Sequence, residues 1–228
     1  MRKGLEKYWP FAAVLILIVL LGIYKLIVID VVWEGINQDE TMAWKVTELS
    51  ENATQVQETE SQSELLRQAM FLVVPLIVVA IVYLVVGKKK NLIQPDKKAL
   101  IVGMAASFLS QPLHELIHGL AMPKGSTVYI GIIISNFSGY ATSNAYMNMF
   151  QCVMYHLLPA FILGILPLIC FVVNKEKKDF ICWFCFGFAL IGLVQTAPDW
   201  FGLYPIVRQV PFDAVIQFSG YHAYWFYI

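Results

Sequence analysis

Five long apolar runs limit what this chain can fold into. They cover approximately residues 10–32, 68–87, 99–122, 148–173 and 180–200. A helix needs about 20 predominantly apolar residues to cross about 30 Å of hydrocarbon, and each run is close to that length. The composition agrees, because 58% of the residues are apolar and only 14% are charged. The sequence therefore predicts an all-α, polytopic membrane protein with five transmembrane helices, or six if the chain after residue 200 supplies another.

The distribution of charge predicts an orientation. Lysines cluster in two short loops, residues 88–98 and 174–179, whereas residues 33–67 carry eight acidic and two basic residues. Because cytoplasmic loops carry the excess of positive charge, we expect the N-terminus and both lysine loops in the cytoplasm and the acidic loop outside. The first run follows three basic residues and lacks a small-residue cleavage site. We therefore expect an uncleaved signal anchor.

The charge balance, the cysteines and the histidines exclude several classes of protein. Sixteen basic residues balance sixteen acidic ones, so there is no basic excess to bind nucleic acid. The four cysteines lie inside or beside apolar runs, which fits neither a disulfide framework nor a zinc knuckle. We expect the isolated pair Cys182 and Cys185 to pack within a helix. Four histidines are too few for a membrane di-iron hydroxylase or desaturase.

The segment after the third run changes character. Residues 127–148 are rich in β-branched and aromatic residues, interrupted by Gly, Ser and Asn. This pattern predicts a short β-hairpin or a re-entrant segment. The final stretch, residues 201–228, is interrupted by prolines and charged residues, and we expect it to pack at the membrane interface through its Tyr and Trp side chains.

The third run contains an HExxH motif, formed by His114, Glu115 and His118. On a helix the two histidines lie one turn apart on the same face, so both imidazoles can bind one Zn²⁺, with Glu115 beside them as a general base. Ionisable groups in an apolar helix are costly unless they have partners, which favours a functional site. The alternative is a hydrogen-bonded polar triad that joins helices.

A catalytic zinc needs a third protein ligand, and Asp199 is the first candidate. His114 and His118 lie 15 and 19 residues beyond Ala99, and Asp199 lies 19 residues beyond Phe180. Measured from the lysine loops at about 1.5 Å per residue, the three side chains share a depth of roughly 22 to 28 Å. Pro198 either bends the helix to aim this carboxylate or marks an ordinary helix end. The competing ligands are His156, His222 and Asp213.

These residues carry a resemblance to known proteases. An HExxH motif inside a membrane helix, followed two spans later by an Asp, resembles the site-2 protease class of intramembrane metalloproteases. The chain is more closely similar to a small bacterial and archaeal family of membrane zincin peptidases. The resemblance covers about residues 99–228. It rests on HELIHGL at 114–120, Leu158-Pro159-Ala160-Phe161, Ala197-Pro198-Asp199, and Pro211-Phe212-Asp213 followed by Gly220 and closing aromatic residues.

The resemblance implies a function and a division of the chain. His114, His118 and Asp199 would be zinc ligands and Glu115 the catalytic acid/base of a site-2 protease-like peptidase acting on membrane or juxtamembrane substrates. Residues 99–228 would form the metalloprotease domain and residues 1–98 a two-helix membrane hairpin with an acidic extracytoplasmic loop at about 33–67. We expect a prokaryotic plasma membrane.

Two other functions of the protein, and the role of residues 127–135, stay open at this point. The protein could be a non-proteolytic membrane scaffold or regulator with a structural or vestigial metal site. A solute or ion carrier ranks last, because the other four spans have few polar groups. If the protein is a protease, the extended stretch 127–135 could bind a substrate by strand addition. A plain connecting hairpin is the alternative there.

Overall fold

The computed structural model describes residues 8–38, 48–135, 137–174 and 179–228. Helices account for most of this part of the chain. A π-helical turn, Ala160–Ile165, joins the helices Met149–Pro159 and Leu166–Val173 into one continuous helix. The helices are α1 (Trp9–Val28), α2 (Gln62–Lys89), α3 (Lys97–Leu109), α4 (Gln111–Leu120), α5 (Met149–Pro159), α6 (Leu166–Val173), α7 (Phe180–Gln195) and α8 (Ala197–Gln209).

Between three and five of the described segments could cross a membrane. Helices α1, α2 and the continuous helix Met149–Val173 are each long and apolar enough. The number becomes five if α3 with α4, and α7 with α8, each count as one broken span. The mostly helical fold with several candidate membrane spans, predicted from the apolar runs, is therefore confirmed at this level. No sixth candidate occurs among the described residues.

Side-chain caps set the start of four helices. Ser61 accepts a hydrogen bond from the Glu64 amide at the start of α2, and Asp96 accepts one from the Ala99 amide at the start of α3. Asp179 does the same for α7, and α5 begins with a reciprocal capping box between Asn148 and Gln151. Each cap satisfies backbone N–H groups that lack a partner in the first turn of a helix.

The third and fifth apolar runs are bent pairs and not straight helices. Helices α3 and α4 meet at Ser110 with a bend of 55°, and α7 and α8 meet at Thr196 with a bend of 42°. Pro112 and Pro198 follow these breaks and lack the N–H that would continue the helical hydrogen bonds. The hydroxyls of Ser110 and Thr196 each donate to a carbonyl three residues earlier, at 2.7 and 3.2 Å.

Two β-sheets correct the all-α prediction. In the first sheet the order is β1 (Asp30–Asn37), β3 (Thr127–Ile133), β4 (Ser138–Thr142), with β1 parallel and β4 antiparallel to β3. The predicted hairpin after the HExxH helix is therefore present as β3 and β4. The first apolar run also ends earlier than predicted, because its last residues leave the helix and pair with β3. The second sheet is antiparallel, in the order β2 (Thr54–Gln55), β7 (His222–Phe226), β6 (Val215–Ser219), β5 (Met147–Asn148).

Residues from the N-terminal part of the chain, up to residue 98, enter both sheets and four hydrophobic core clusters. Ile29 packs with residues of α5 and the first sheet, and Val56 packs with residues of α5, α8 and the second sheet. Both side chains are at most 5% exposed. The division at residues 98 and 99 stays a prediction, but strands from both sides of that point pair with each other.

Candidate metal centre

The two histidines of the motif face each other on α4. Their Nε2 atoms lie 3.0 Å apart, and each residue is only 3% exposed. The spacing of four residues places them on one face of the helix. His118 Nδ1 donates a hydrogen bond of 2.6 Å to the backbone carbonyl of Tyr155. This bond leaves the Nε2 lone pair of His118 directed at His114.

The carboxylate of Asp199 completes the group from another helix. Its Oδ2 lies 3.4 Å from His114 Nε2, and its Oδ1 lies 3.6 Å from His118 Nε2. Asp199 is in the first turn of α8, directly after the bend that follows α7. The break therefore brings this carboxylate to both imidazoles.

Glu115 lies beside the histidines and is held on two sides. Its Oε1 is 3.9 Å from His114 Nε2 and accepts a hydrogen bond of 2.8 Å from Gln111 Nε2. On the other side, Gly139 of β4 approaches so closely that a Cβ there would overlap the Glu115 carboxyl group. The Glu115 side chain is 6% exposed.

The distances among His114, His118 and Asp199 fit a zinc ion, and so does a buried oxygen that has no hydrogen-bond partner among the described residues. Ligand atoms of a tetrahedral zinc, with bonds of about 2.0–2.1 Å, lie about 3.3 Å apart. The two Nε2 atoms lie 3.0 Å apart, and Asp199 lies 3.4 Å from His114 through Oδ2 and 3.6 Å from His118 through Oδ1. Asp199 Oδ2 is buried without a hydrogen-bond partner among the described residues. Two imidazoles and one carboxylate are also a common ligand set of catalytic zinc.

A comparison with protein families identifies the region that contains this group. Residues 107–215 match the family described as "Putative zincin peptidase". The zincin match begins in α3, ends at the start of β6, and includes the two histidines, Glu115 and Asp199. The family resemblance predicted from the sequence is therefore confirmed over this region. No match was found among curated proteins or among solved structures.

The description of the family implies a metallopeptidase. The ligand atoms of the HExxH motif are close enough together to hold a metal ion. Ligand atoms of His114, Glu115 and His118 all lie within 4.8 Å of one another. Zincins carry their metal on this motif, so the match supports zinc as the cofactor.

The structure places the three competing third ligands at different points. His156 lines the same cavity as Asp199, with its Nδ1 hydrogen-bonded to the Cys152 carbonyl at 2.9 Å. His222 lies on β7, with its Nδ1 3.5 Å from Glu58 Oε1. Asp213 is exposed, between α8 and β6. Of the four candidates, the structure places Asp199 within 3.6 Å of both histidines of the motif.

A cavity of about 130 Å³ lies over the group, and part of its wall comes from outside the zincin match. Glu58, Gln62, Leu65 and Leu66 line it from the segment that leads into α2 and from the first turns of that helix. A second cavity of about 340 Å³ adjoins it, and both are lined by Glu58 and Leu65. The N-terminal part of the chain thus helps to shape the space around the candidate metal centre.

Several polar residues that line this cavity were missed by sequence reasoning, among them Glu58, Gln62, Gln111 and Gln195. Gln111 precedes Glu115 by four residues, and this i, i+4 spacing was a signal that could have identified it. Gln195 is a polar residue at the end of an apolar run, which was a weaker signal. Glu58 and Gln62 reach the cavity through strand pairing and helix packing, for which the sequence carried no local signal.

Proposed function

We propose that this protein is a membrane-embedded zinc metallopeptidase that hydrolyses peptide bonds of membrane or juxtamembrane substrates. The observation that carries the proposal is the convergence of His114, His118 and Asp199, with Glu115 beside them, inside the region that matches a zincin family. The histidines and Asp199 would hold the ion. Zinc, when bound, supplies a Lewis acid that acidifies water and polarises a peptide carbonyl.

Glu115 has the position of a general acid/base. Its carboxylate can take a proton from water and return it to the amine that leaves when the peptide bond breaks. The hydrogen bond from Gln111 and the close approach of Gly139 restrict where that carboxylate can lie. His118 is oriented by the Tyr155 carbonyl, so its Nε2 stays available as a ligand.

Strand β4 offers the substrate an extended binding edge. The stretch 127–135 was one candidate for strand addition, but its strand β3 pairs with β1 on one side and β4 on the other, so that prediction is wrong. Among the described strands, β4 is one of the two outer strands of this sheet, and all of Ser138–Thr142 line the cavity. Two of its carbonyls accept side-chain hydrogen bonds, Gly139 from Gln62 and Ala141 from Tyr155, so a peptide that paired with these carbonyls would replace those bonds. A peptide bound along it would pass beside Glu115, which contacts Gly139.

The two helix breaks make such a site compatible with membrane depth. Irregular backbone within a bilayer is tolerated where it is buried in protein or lines a wet cavity. Gln111 and Gln195, at the two breaks, both line the cavity over the candidate metal centre. The cytoplasmic N-terminus stays part of the proposal and rests on the charge of the loops.

The proposal is tested on full-length protein purified in detergent. We expect about one zinc per chain by mass spectrometry, and cleavage of membrane-derived peptides after reconstitution. We also expect acetohydroxamate, a zinc chelator, to inhibit cleavage, because a catalytic zinc keeps an open coordination position. A well-folded protein that retains zinc but neither cleaves peptides nor binds acetohydroxamate would contradict the proposal and favour a structural metal site.

A further inference from the structure

Two glutamines form a hydrogen-bonded chain that ends on Glu115. Gln195 Nε2 donates to Gln111 Oε1 at 2.9 Å, and Gln111 Nε2 donates to Glu115 Oε1 at 2.8 Å. Gln195 is the last residue of α7 and Gln111 is the first residue of α4. The chain of bonds therefore connects the breaks of the two bent helix pairs.

The chemistry of the groups sets the direction of this chain. An ionised carboxylate only accepts hydrogen bonds, so Gln111 must turn its NH₂ group towards Glu115. Its carbonyl oxygen then faces Gln195, which must present its own NH₂ group. The remaining oxygen, Gln195 Oε1, is buried and has no hydrogen-bond partner among the described residues. Both side-chain amides therefore donate in the direction of the Glu115 carboxyl group.

The chain of bonds is anchored to closely packed helices. Gly103 of α3 and Gly187 of α7 each contact the backbone of the opposite helix, where a Cβ would overlap a carbonyl oxygen. Helices α3 and α7 end at the two breaks, next to Gln111 and at Gln195. Because the two helices are in close backbone contact, the two glutamines have little freedom to move apart.

We propose that Gln195 and Gln111 are positioning residues that hold the Glu115 carboxylate as a proton acceptor beside the candidate metal centre. The inference rests on the proposed function and adds two residues to it. A Glu side chain has three rotatable bonds. The hydrogen bond from Gln111 to Glu115 Oε1 favours one combination of their torsion angles. A catalytic group misplaced by about 1 Å can lose about 100-fold in rate.

Four variants test the positioning role in the zinc-loaded full chain. We expect Gln111→Leu and Gln195→Leu to lower kcat about 10- to 100-fold, with KM within about twofold and zinc content unchanged. The double variant should be no worse than Gln111→Leu alone, because the two residues act through one chain of bonds. The matched control is Gln68→Leu, which lines only the second of the two cavities and should leave kcat unchanged.

Gln195→Glu separates positioning from a merely structural link. An ionised carboxylate at position 195 cannot donate to Gln111, but it can accept from the Gln111 NH₂ group and draw it away from Glu115. The comparison is therefore made at alkaline pH, where position 195 is ionised. The contact between the helices would survive, and we expect kcat to fall at least as far as in Gln195→Leu. Normal kcat in Gln195→Glu, together with a loss of thermal stability in Gln195→Leu, would mean a structural link only and would overturn the proposal.

A readout without activity separates this inference from the proposed function. In protein labelled with ¹⁵N-glutamine, the Gln111 side-chain amide is assigned by its loss in Gln111→Leu. We expect its proton resonances to move in both Glu115→Ala and Gln195→Leu, with or without zinc. Unchanged resonances in both variants would overturn the hydrogen-bonded chain. If the resonances move in these variants but the wild type neither holds zinc nor cleaves peptides, the hydrogen-bonded chain stands and only its role in catalysis is overturned.

Discussion

Asp199 Oδ2 lies 3.4 Å from His114 Nε2, across the contact between two bent helix pairs. The two residues come from different apolar runs, and each lies in the helix that follows the break of its own run. The bends place a carboxylate from the first turn of α8 over the histidine face of α4. This relationship is the basis of the first prediction.

Removal of Asp199 or His118 should abolish stable zinc binding. Each variant, Asp199→Ala and His118→Ala, takes away one of three close ligand atoms, and we expect zinc to fall from about one per chain to near zero after dialysis. Zinc is measured by mass spectrometry on detergent-purified protein. Asp213→Ala is the matched control. Asp213 is exposed, so we expect this variant to retain zinc. Full zinc content in Asp199→Ala, with zinc lost in His118→Ala, would move the search for the third ligand to His156 and His222.

Glu115→Gln should stop turnover and keep zinc. Glutamine has nearly the shape of glutamate but cannot take up a proton, and loss of a general base costs about 10²- to 10⁴-fold in rate. The measurement is peptide cleavage by the reconstituted variant, with zinc content determined on the same sample. Cleavage at the wild-type rate would show that Glu115 is not the acid/base.

Gly139→Ala should lower activity without loss of zinc. The added methyl group would overlap the Glu115 carboxyl group, so either that side chain or strand β4 must move. We expect kcat to fall about 10- to 100-fold. Gly22→Ala is the control, because a Cβ there meets only Leu120 Cδ1 at an ordinary contact distance of 3.8 Å. Equal activity of the two variants would contradict the tight fit described for Glu115.

Glu58 should make the folded protein less stable as the pH rises from about 4.5 towards neutrality. Burial raises the pKa of this carboxyl from 4.5 to about 7. In the unfolded chain it ionises near its ordinary pKa, so the folded state loses stability between about pH 4.5 and 7 and does not recover it above that range. The loss is at most about 3 kcal/mol. His222 Nδ1 at 3.5 Å and the Ala223 amide are the groups that face it.

Glu58→Gln tests this pH dependence, since a neutral amide can still accept from the Ala223 amide. We expect a higher Tm than wild type at pH 8 and a smaller difference at pH 5, measured by thermal unfolding in detergent. Glu60→Gln is the control, because Glu60 is exposed. A Tm difference that is the same at both pH values would contradict the predicted burial of an ionised Glu58.

The candidate site was partly predictable because some of its signals are local. The HExxH spacing alone places His114, Glu115 and His118 together on one helix, and the shared depth of the runs pointed to Asp199. Gln195 and Glu58 were not predictable in the same way. Their positions depend on contacts with residues far away in the chain, such as the bond from Gln195 to Gln111 and the bond from the Ala223 amide to Glu58.

The sequence by itself determined the apolar spans, the β3–β4 hairpin and the pairing of two histidines with a glutamate on one helix face. These features follow from hydrophobic run length and from the 3.6-residue period, which act over a few turns of chain. Only the tertiary structure decided that residues 30–37 leave the first run to form β1 and that residues near 54 pair with the C-terminal hairpin. It also decided how far the two helices bend. Strand partners and bend angles result from packing between distant segments, and a local pattern does not specify which segments will meet.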